Sequence, residues 1–345
     1  MRIDLHVHTR ESSGPPDYWL ARVLGVRECY SQPEDVVAEA LRKGLDGVAI
    51  TNHDRAQDSL RLAAARPDVV IPGCEYKVYG GRGRYADVLV LGIDGAKHER
   101  LLRERHRGLD RFARVAREEG LPAILAHPAW EVSEEKRGID PEILCEWLEA
   151  FDLVETLNGN CPAESIVAKG LARYFGKPAT GGSDAHDVPT VGTVWTEADA
   201  ADIPAFLAAL RAGRARPGGT PTDAAKFAST AREVLGAFYR RELLRAASKG
   251  SLRNFLLSSN VHDILRALGQ VLVLPGLLWA PQAESRSYLA GLRAHAGRLR
   301  CRLVEYLSLD LARELAVEDL APEERRRRWV ARTKAMAESF ADEGC

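Results

Sequence analysis

Residues 1 to about 220 alternate short apolar runs with longer segments whose apolar positions recur at helical spacing. The short runs are the predicted strands, namely Arg2–His6, Gly47–Thr51, Val69–Pro72, Asp87–Leu91, Ala123–Ala126, Leu153–Thr156, Ala179–Gly181 and Val191–Trp195. The longer segments are the predicted helices, which include Pro33–Lys43, Glu99–Glu119, Pro141–Phe151 and Ala163–Phe175. Alternation of strand and helix favours a parallel sheet. About seven such units fit a closed or nearly closed β/α barrel better than an open sheet.

The pattern changes after the Pro- and Gly-rich segment Arg216–Pro221. Beyond it, arginine and leucine recur at helical spacing, which predicts helices at Ala224–Gly250, Val261–Trp279, Glu284–Leu307 and Pro322–Phe340. We therefore predict an α/β protein with two regions, a barrel over residues 1–220 and an all-helical C-terminal appendage over residues 221–345.

Charge is divided unevenly between the two regions. Residues 1–223 hold 28 Lys and Arg against 35 Asp and Glu, whereas residues 224–345 hold 20 against 14. The basic run Arg325–Arg328 directly follows Glu323 and Glu324. Mixed charge of this kind is typical of a solvated helix face, so nucleic-acid binding is open but not favoured.

The six cysteines show no regular spacing, and the chain runs into a strand without an apolar leader. These features predict reduced thiols and a cytoplasmic protein. The longest apolar stretch, Leu268–Ala280, is too short to span a bilayer, so no membrane association is expected.

Four polar clusters follow predicted strands and hold five of the nine histidines. They contain His6 and His8, then His53 with Asp54, then His127, and finally Asp184 with His186. In parallel α/β architectures the carboxyl ends of the strands surround one mouth, so these side chains should converge. Glu75, Glu155 and Asn158 are further candidates, because they also follow strands.

Imidazoles and carboxylates dominate this set, and it contains no thiolates. Such ligands favour Zn, Mn or Fe. His6 and His8 can reach one ion together, because alternate residues of a strand share a face. The set exceeds what a single ion needs, so we expect two or three divalent ions, two of them bridged by a carboxylate such as Glu75.

The order of these motifs resembles the PHP family, named for polymerase and histidinol phosphatase. The segments that carry the resemblance are Asp4–Thr9, Ile50–Asp54, Gly73–Glu75, Ala126–Pro128 and Gly181–His186. The resemblance covers about residues 1–220 and implies a distorted seven-stranded β/α barrel, a trinuclear metal centre and phosphoesterase activity. It also implies that His6, His8, Glu75 and Asp184 hold the first ion, Glu75 and His127 the second, and His53 and His186 the third.

Three positions depart from the family pattern. Ser13 stands where the family usually has a His or Asp, so the third ion loses a ligand unless Asp17 or Glu11 replaces it. Asp87 stands where a His often binds the second ion, and a carboxylate can replace that ligand. Asn52 replaces a common Asp beside His53, which should change hydrogen bonding more than ligation.

The expected function is hydrolysis of a small phosphorylated metabolite or nucleotide by a metal-activated water. Asp184, His186 or His53 would protonate the leaving group. The phosphate would be held by cations near the mouth, for which Arg10, Lys77, Arg82 and Arg84 are the candidates.

Two alternatives remain open on the sequence. One is a metal-dependent amide or ester hydrolase that uses the same site, because a metal-activated water also attacks carbonyl carbon. The other is a PHP-like scaffold whose helical tail binds a partner. The substrate, the metal and the oligomeric state are not determined by the sequence.

Overall fold

The computed structural model describes residues 1–12, 27–80, 84–128, 141–160 and 162–223. In the tail it describes residues 226–240 and 290–340 except positions 227, 231, 235, 239, 292, 295, 317 and 319. The predicted helix Val261–Trp279 lies outside the described residues.

Nine strands form one mixed sheet in the described part of the chain. They are β1 (Arg2–Val7), β2 (Gly47–Ile50), β3 (Val70–Tyr79), β4 (Tyr85–Leu91), β5 (Ala123–Leu125), β6 (Leu153–Asn158), β7 (Ala179–Gly182), β8 (Val194–Ala198) and β9 (Ala215–Gly219). Their order in the sheet is β7-β6-β5-β4-β3-β2-β1-β8-β9.

The sheet curves until strand β7 meets β1 and β8, so it nearly closes into a barrel. The backbone amide of His8 donates to the carbonyl of Ala185 at 3.0 Å. The Thr196 hydroxyl on β8 accepts from the amide of Gly181 and donates to its carbonyl, both at 2.8 Å. These bonds hold the two ends of the strand order together.

The sheet differs from the predicted one in strand count and direction. It has nine strands rather than seven, and only β1–β2, β2–β3, β5–β6 and β6–β7 are parallel pairs. Strand β3 continues past Gly73 to Tyr79 and then turns through a short hairpin into antiparallel β4. No crossover helix fits in so short a connection, which is why the parallel prediction fails there.

The described residues of the barrel form seven α-helices, namely α1 (Pro33–Arg42), α2 (Gln57–Ala65), α3 (Gly95–Glu104), α4 (Leu109–Glu118), α5 (Pro141–Ala150), α6 (Pro162–Tyr174) and α7 (Ile203–Arg211). The predicted single helix Glu99–Glu119 is wrong, because α3 and α4 are separate. Gly108, with φ of 101°, lies at the N-cap of α4 in a conformation that favours glycine. The break places Arg105 and His106 in an interhelical turn.

One face of β3 and β4 packs into an apolar cluster that we call the outer core. It includes Tyr76 of β3, Phe112 of α4, Trp147 of α5 and Leu171 of α6, all at most 1% exposed. Tail residues join the same cluster, among them Leu299, Leu303, Met336 and Phe340. The predicted tail helices Glu284–Leu307 and Pro322–Phe340 are confirmed over residues 296–307 and Pro322–Ser339, and the first continues to residue 316. The boundary near residue 220 stays a prediction.

The tail contacts α6 at a glycine. A Cβ atom at Gly170 would lie 2.6 Å from Cδ1 of Phe340, so the aromatic ring occupies the space that a side chain would need. None of the helices in the described part of the chain is both long and apolar enough to cross a bilayer.

Candidate metal centre

The sheet brings all eight predicted metal ligands into one largely buried cluster, which we call the metal pocket. Its members are His6, His8, His53, Glu75, Asp87, His127, Asp184 and His186. They come from strands β1, β3 and β4 and from the segments that follow β1, β2, β5 and β7. Thus the carboxyl ends of β1, β2, β5 and β7 converge as the sequence predicts, whereas Glu75 lies within β3 and Asp87 near the amino end of antiparallel β4.

Glu75 lies at the centre of the metal pocket and is fully buried. Its Oε2 atom lies 3.3 Å from Nε2 of His6, 3.3 Å from Nε2 of His8 and 3.0 Å from Nδ1 of His53. Its Oε1 atom lies 3.1 Å from Nε2 of His127. A carboxylate that contacts four imidazoles through both oxygens is placed to bridge two ions.

Asp184 faces Glu75 across the two β1 histidines. Its Oδ1 atom lies 3.5 Å from Nε2 of His6 and 3.3 Å from Nε2 of His8, and those two nitrogens are 3.1 Å apart. The Nδ1 atom of His186 lies 3.6 Å from the same carboxylate oxygen. This geometry gathers the ligands that the resemblance assigns to the first ion.

The ligands form four overlapping triads. Within each triad, the three ligand atoms lie within 4.8 Å of one another. The triads are His6–His8–Asp184, His6–Glu75–His127, His8–His53–His186 and His53–Glu75–Asp87. The last triad supports Asp87 as a ligand. The third includes His8, so the pair His53 and His186 has a third nitrogen near it that sequence reasoning did not assign there.

Unpaired buried atoms test whether these residues suit a cation. Glu75 Oε2, His53 Nδ1 and Asp87 Oδ1 are buried and make no well-aligned hydrogen bond among the described residues, although the first two atoms lie 3.0 Å apart. Leaving a buried polar atom unpaired costs about 1–3 kcal/mol. The three residues form one of the triads of nitrogen and oxygen donors, so a divalent ion bound there would provide a partner for them.

Glu155 contacts two of the ligand residues, the imidazole of His6 and the backbone of His127. Its Oε1 atom lies 3.1 Å from Nδ1 of His6, and its Oε2 atom accepts from the backbone amide of His127 at 3.0 Å and from Asn158 at 2.9 Å. When His6 donates its Nδ1 proton to this carboxylate, Nε2 is left to bind an ion. The positions of Glu155 and Asn158 made them candidates, and the structure places both behind the ligands.

Ser12 orients His8 as Glu155 orients His6. Its hydroxyl lies 3.0 Å from Nδ1 of His8 and accepts from the backbone amide of His53 at 3.1 Å. Sequence reasoning missed this residue. The only available signal was its position in the loop that follows the His-x-His strand.

Three non-glycine residues of this region have positive φ angles. They are Asp54 and Asp184, both with φ of 52°, and His127 with φ of 21°. Such conformations cost about 1–3 kcal/mol each and tend to occur at functional sites. Here they lie directly after β2, β5 and β7, where the chain turns and directs side chains into the metal pocket.

Burial and neighbouring charges shift the pKa values in opposite directions. Burial alone would lower the pKa of His127, but the Glu75 carboxylate raises it to about 9. Burial, followed by repulsion from His186, lowers the pKa of His8 to about 4. Burial, together with the charge of Glu75, raises the pKa of Asp87 to about 6. Although burial opposes it, His53 and His6 hold the pKa of Glu75 well below its usual value.

The structure describes some of the residues at which the chain differs from the family pattern, or that could replace a missing ligand. Ser13 and Asp17 lie outside the described residues. Glu11 is not placed as a ligand, since its carboxylate accepts from the amides of Gln57 and Asp58 at the start of α2 and from Asn52. Asn52 also accepts from the amide of Thr9 at 2.7 Å, which confirms a hydrogen-bonding role.

Three of the four predicted phosphate-binding cations lie in different parts of the barrel, and the fourth lies outside the described residues. Lys77 shares a face of β3 with Glu75 and is paired in register with Asp87. Arg10 is exposed, and its charge lowers the pKa of Glu34 on α1, after the Arg61 hydrogen bond that is the main cause. Arg84 is half-buried on the β3–β4 hairpin, and Arg82 lies outside the described residues.

Arg105 is a mouth residue that sequence reasoning missed. Its guanidinium pairs with the carboxylate of Asp54, the residue that follows His53. The continuous apolar stripe predicted for Glu99–Glu119 hid the turn that carries it.

Comparison with known proteins gives one family match. The family model described as PHP-associated matches residues 167–215, a segment that contains strand β7, Asp184 and His186. No curated protein matches the chain.

Several solved structures are similar at low identity. A two-domain protein from Bacteroides vulgatus, described as containing a PHP-like metal-dependent phosphoesterase, is 16% identical with a TM-score of 0.47, and the alignment covers 64% of each chain. PsfC from Pseudomonas syringae is 19% identical with a TM-score of 0.45, over 70% of this chain and 98% of its own. A protein from Bifidobacterium adolescentis, described as a metal-dependent phosphoesterase, is 16% identical with a TM-score of 0.39, over 54% of this chain and 87% of its own.

The matched segment supplies the last of the ordered motifs, and the structure brings the side chains of all of them into one pocket. Over residues 167–215 the chain is therefore similar to the PHP-associated family.

Proposed function

We propose that this protein is a metal-dependent phosphoesterase that hydrolyses a small phosphorylated metabolite or nucleotide. The observation that carries the proposal is the position of Glu75, whose two carboxylate oxygens contact four imidazoles within 3.3 Å. A bridging carboxylate among imidazoles suits the two-metal chemistry of phosphoryl transfer.

The ligand sets are those that the resemblance implies, with Asp87 on the second ion, and each set shares residues with the triads. His6, His8, Glu75 and Asp184 would hold a first ion, and Glu75, Asp87 and His127 a second. His53 and His186, with His8 beside them, would hold a third. Zn, Mn and Fe suit these nitrogen and oxygen donors. When bound, such ions lower the pKa of a coordinated water and neutralise the phosphoryl oxygens.

The chain supplies three candidates to protonate the leaving group. The side chain of His53 is 29% exposed and that of His186 is 19% exposed, whereas that of Asp184 is 11% exposed. Because a general acid must reach the substrate and must not be locked into ligation, an imidazole of His53 or His186 that does not hold the third ion is favoured over Asp184. Lys77 is the predicted cation placed best to meet the phosphate, because it shares the inner face of the hairpin with Glu75 and Asp87.

The proposal is tested by metal analysis and a substrate panel. Protein purified without chelator should contain at least two equivalents of Mn, Zn or Fe and should release inorganic phosphate from phosphoesters. Treatment with a chelator should abolish the release, and Mn or Zn should restore it.

A matched pair of histidine variants provides the control. His53→Gln should lose activity, whereas His98→Gln, which changes an imidazole outside the metal pocket, should retain it. Hydrolysis of carboxylic esters or anilides without phosphoester hydrolysis would instead establish the amide or ester hydrolase. A protein with fewer than one ion and no gain on adding metal would refute the proposal.

A further inference from the structure

The β3–β4 hairpin extends the metal pocket outward as a ladder of alternating residues. Glu75, Lys77 and Tyr79 share one face of β3, and their cross-strand partners are Leu89, Asp87 and Tyr85. The opposite face, with Cys74, Tyr76 and Val78, is packed in the outer core. The ladder therefore passes from a ligand, Glu75, through a cation and a second ligand, to a pair of tyrosines.

The tyrosine end of the ladder is built from three contacts. The rings of Tyr79 and Tyr85 have centroids 6.0 Å apart, and the ammonium of Lys77 lies 4.2 Å from the centroid of Tyr85. The imidazole of His106 is stacked on Tyr79 with a centroid distance of 4.7 Å and an interplanar angle of 20°. Tyr79 remains 37% exposed.

The turn between α3 and α4 fixes this arrangement. The amide of Tyr79 donates to the carbonyl of Arg105 at 2.8 Å, and the Nε atom of Arg105 donates to Nε2 of His106 at 3.1 Å. The Arg105 guanidinium also pairs with Asp54, beside the ligand His53. The aromatic group is thus tied to the metal pocket from two directions, by the hairpin and by this turn.

We infer that Tyr79, Tyr85 and His106 form a subsite for the leaving group of the substrate, and that this leaving group carries an aromatic ring. The inference rests on the proposed phosphoesterase function and extends it to a substrate class. Two residues along a strand span about 7 Å, so a ring roughly 7 Å from the phosphorus would reach Tyr79 and Tyr85 when the phosphoryl group lies near Asp87. Lys77, between the two, would contact the anionic end of the ester. Rings stack on aromatic side chains with useful affinity and little demand on their substituents.

The test uses binding, so that it does not depend on turnover. Metal-loaded protein is titrated by calorimetry with 3-phenylpropylphosphonate and with propylphosphonate, which share a phosphonate that cannot be hydrolysed and differ in the ring. Wild-type protein should bind the phenyl compound about tenfold more tightly, as expected for one stacked ring. Tyr79→Leu should reduce that ratio to about one, whereas Tyr79→Phe should preserve it.

Trp329→Leu is the matched control, because Trp329 is also 37% exposed but lies on a tail helix. Its affinity ratio should equal that of wild type. Circular dichroism and metal content establish that each variant is folded and loaded.

Equal affinities of the wild type for the two phosphonates, or a Tyr79→Leu protein with an unchanged ratio, would overturn the inference. If either result were found in a protein that still releases phosphate from phosphoesters, only the subsite would be refuted and the proposed function would remain supported. Conversely, a ring-dependent affinity without phosphate release from any ester would refute the function and support the subsite.

Discussion

Strand β3 carries opposite chemistry on its two faces. One face gives Glu75 to the metal pocket and Lys77 and Tyr79 to its mouth. The other gives Cys74, Tyr76 and Val78 to the outer core, where they are fully buried among apolar side chains. The metal pocket therefore concentrates charge within a few ångströms, whereas the outer core removes apolar surface from water.

The two faces of β3 therefore make different contributions, one to metal binding and the other to the stability of the fold. Buried charges cost free energy unless they are paired or ligate a metal, so the metal pocket is not expected to stabilise the metal-free fold. Apolar burial in the outer core stabilises it at about 25 cal/mol for each Å² removed from water. Changes on one face should affect metal binding and turnover, and changes on the other should affect unfolding.

Removal of Glu75 should have the largest effect on metal binding and activity of any change in the metal pocket. Glu75→Ala deletes a carboxylate that contacts four imidazoles, so metal content should fall and phosphoesterase activity should drop by about a thousandfold or more. Glu197→Ala, which changes a glutamate paired with Arg216 on the barrel surface, should leave both unchanged. Elemental analysis and phosphate release measure the outcome. Wild-type metal content and turnover in Glu75→Ala would show that the bridging assignment is wrong.

Substitution of Glu155 should weaken the metal pocket without removing a ligand. Glu155→Gln retains the shape of the side chain but loses the charge beside Nδ1 of His6. Changes of this kind typically reduce metal affinity by about 10- to 100-fold. Competition with a chromophoric chelator measures the affinity, and Glu149→Gln on the exposed side of α5 is the control. An unchanged dissociation constant would mean that Glu155 does not orient His6.

The ligands could be predicted because two simple rules fix them. Strand ends converge whatever the details of the sheet, and imidazoles with carboxylates at those ends have few other uses. That is why His6, His8, His53 and Asp184 meet even though the sheet is mixed and has nine strands, and Glu75 reaches them from within β3.

The β3–β4 hairpin, strand β9 and the turn between α3 and α4 could not be predicted, because the local sequence there does not resemble the structure that forms. Gly73 interrupts the apolar run of β3, which hid the hairpin, and β9 reads Ala-Arg-Pro-Gly-Gly with no β-branched residue. The apolar spacing of α3 continues into α4, so only Gly108 marks the turn that carries Arg105 and His106. Strand pairing determines the extents of β3, β4 and β9, and periodicity does not report it.

A pair of glycine substitutions sharpens the comparison on the outer-core side. Alanine is preferred over glycine inside a helix by about 1 kcal/mol, so Gly297→Ala, where a Cβ meets nothing within 4 Å, should stabilise the protein. Gly170→Ala should instead destabilise it by roughly 1–3 kcal/mol, because the new Cβ would overlap the ring of Phe340. Denaturant unfolding measures both, and metal content should not change in either variant. Stabilisation by both substitutions would show that the tail does not pack on α6.

The smallest expected effect concerns His98, an imidazole of α3 that contacts the outer core rather than the metal pocket. Its Nδ1 atom lies 2.7 Å from the hydroxyl of Tyr76, and burial lowers its pKa, the reverse of the direction at His127. The folded state therefore binds this proton less well than the unfolded chain, whose histidine pKa is about 6.5. Below that pH the unfolded chain takes up the proton first, so the wild type should lose unfolding free energy relative to His98→Gln as the pH falls, with no further change above about pH 8. Denaturant unfolding of both proteins with chelator present measures the difference, because titration of the metal pocket is then common to both and cancels. A wild type that gains stability relative to His98→Gln in acid would mean that the fold favours the charged imidazole, and the contrast between the two sides of β3 would not extend to their histidines.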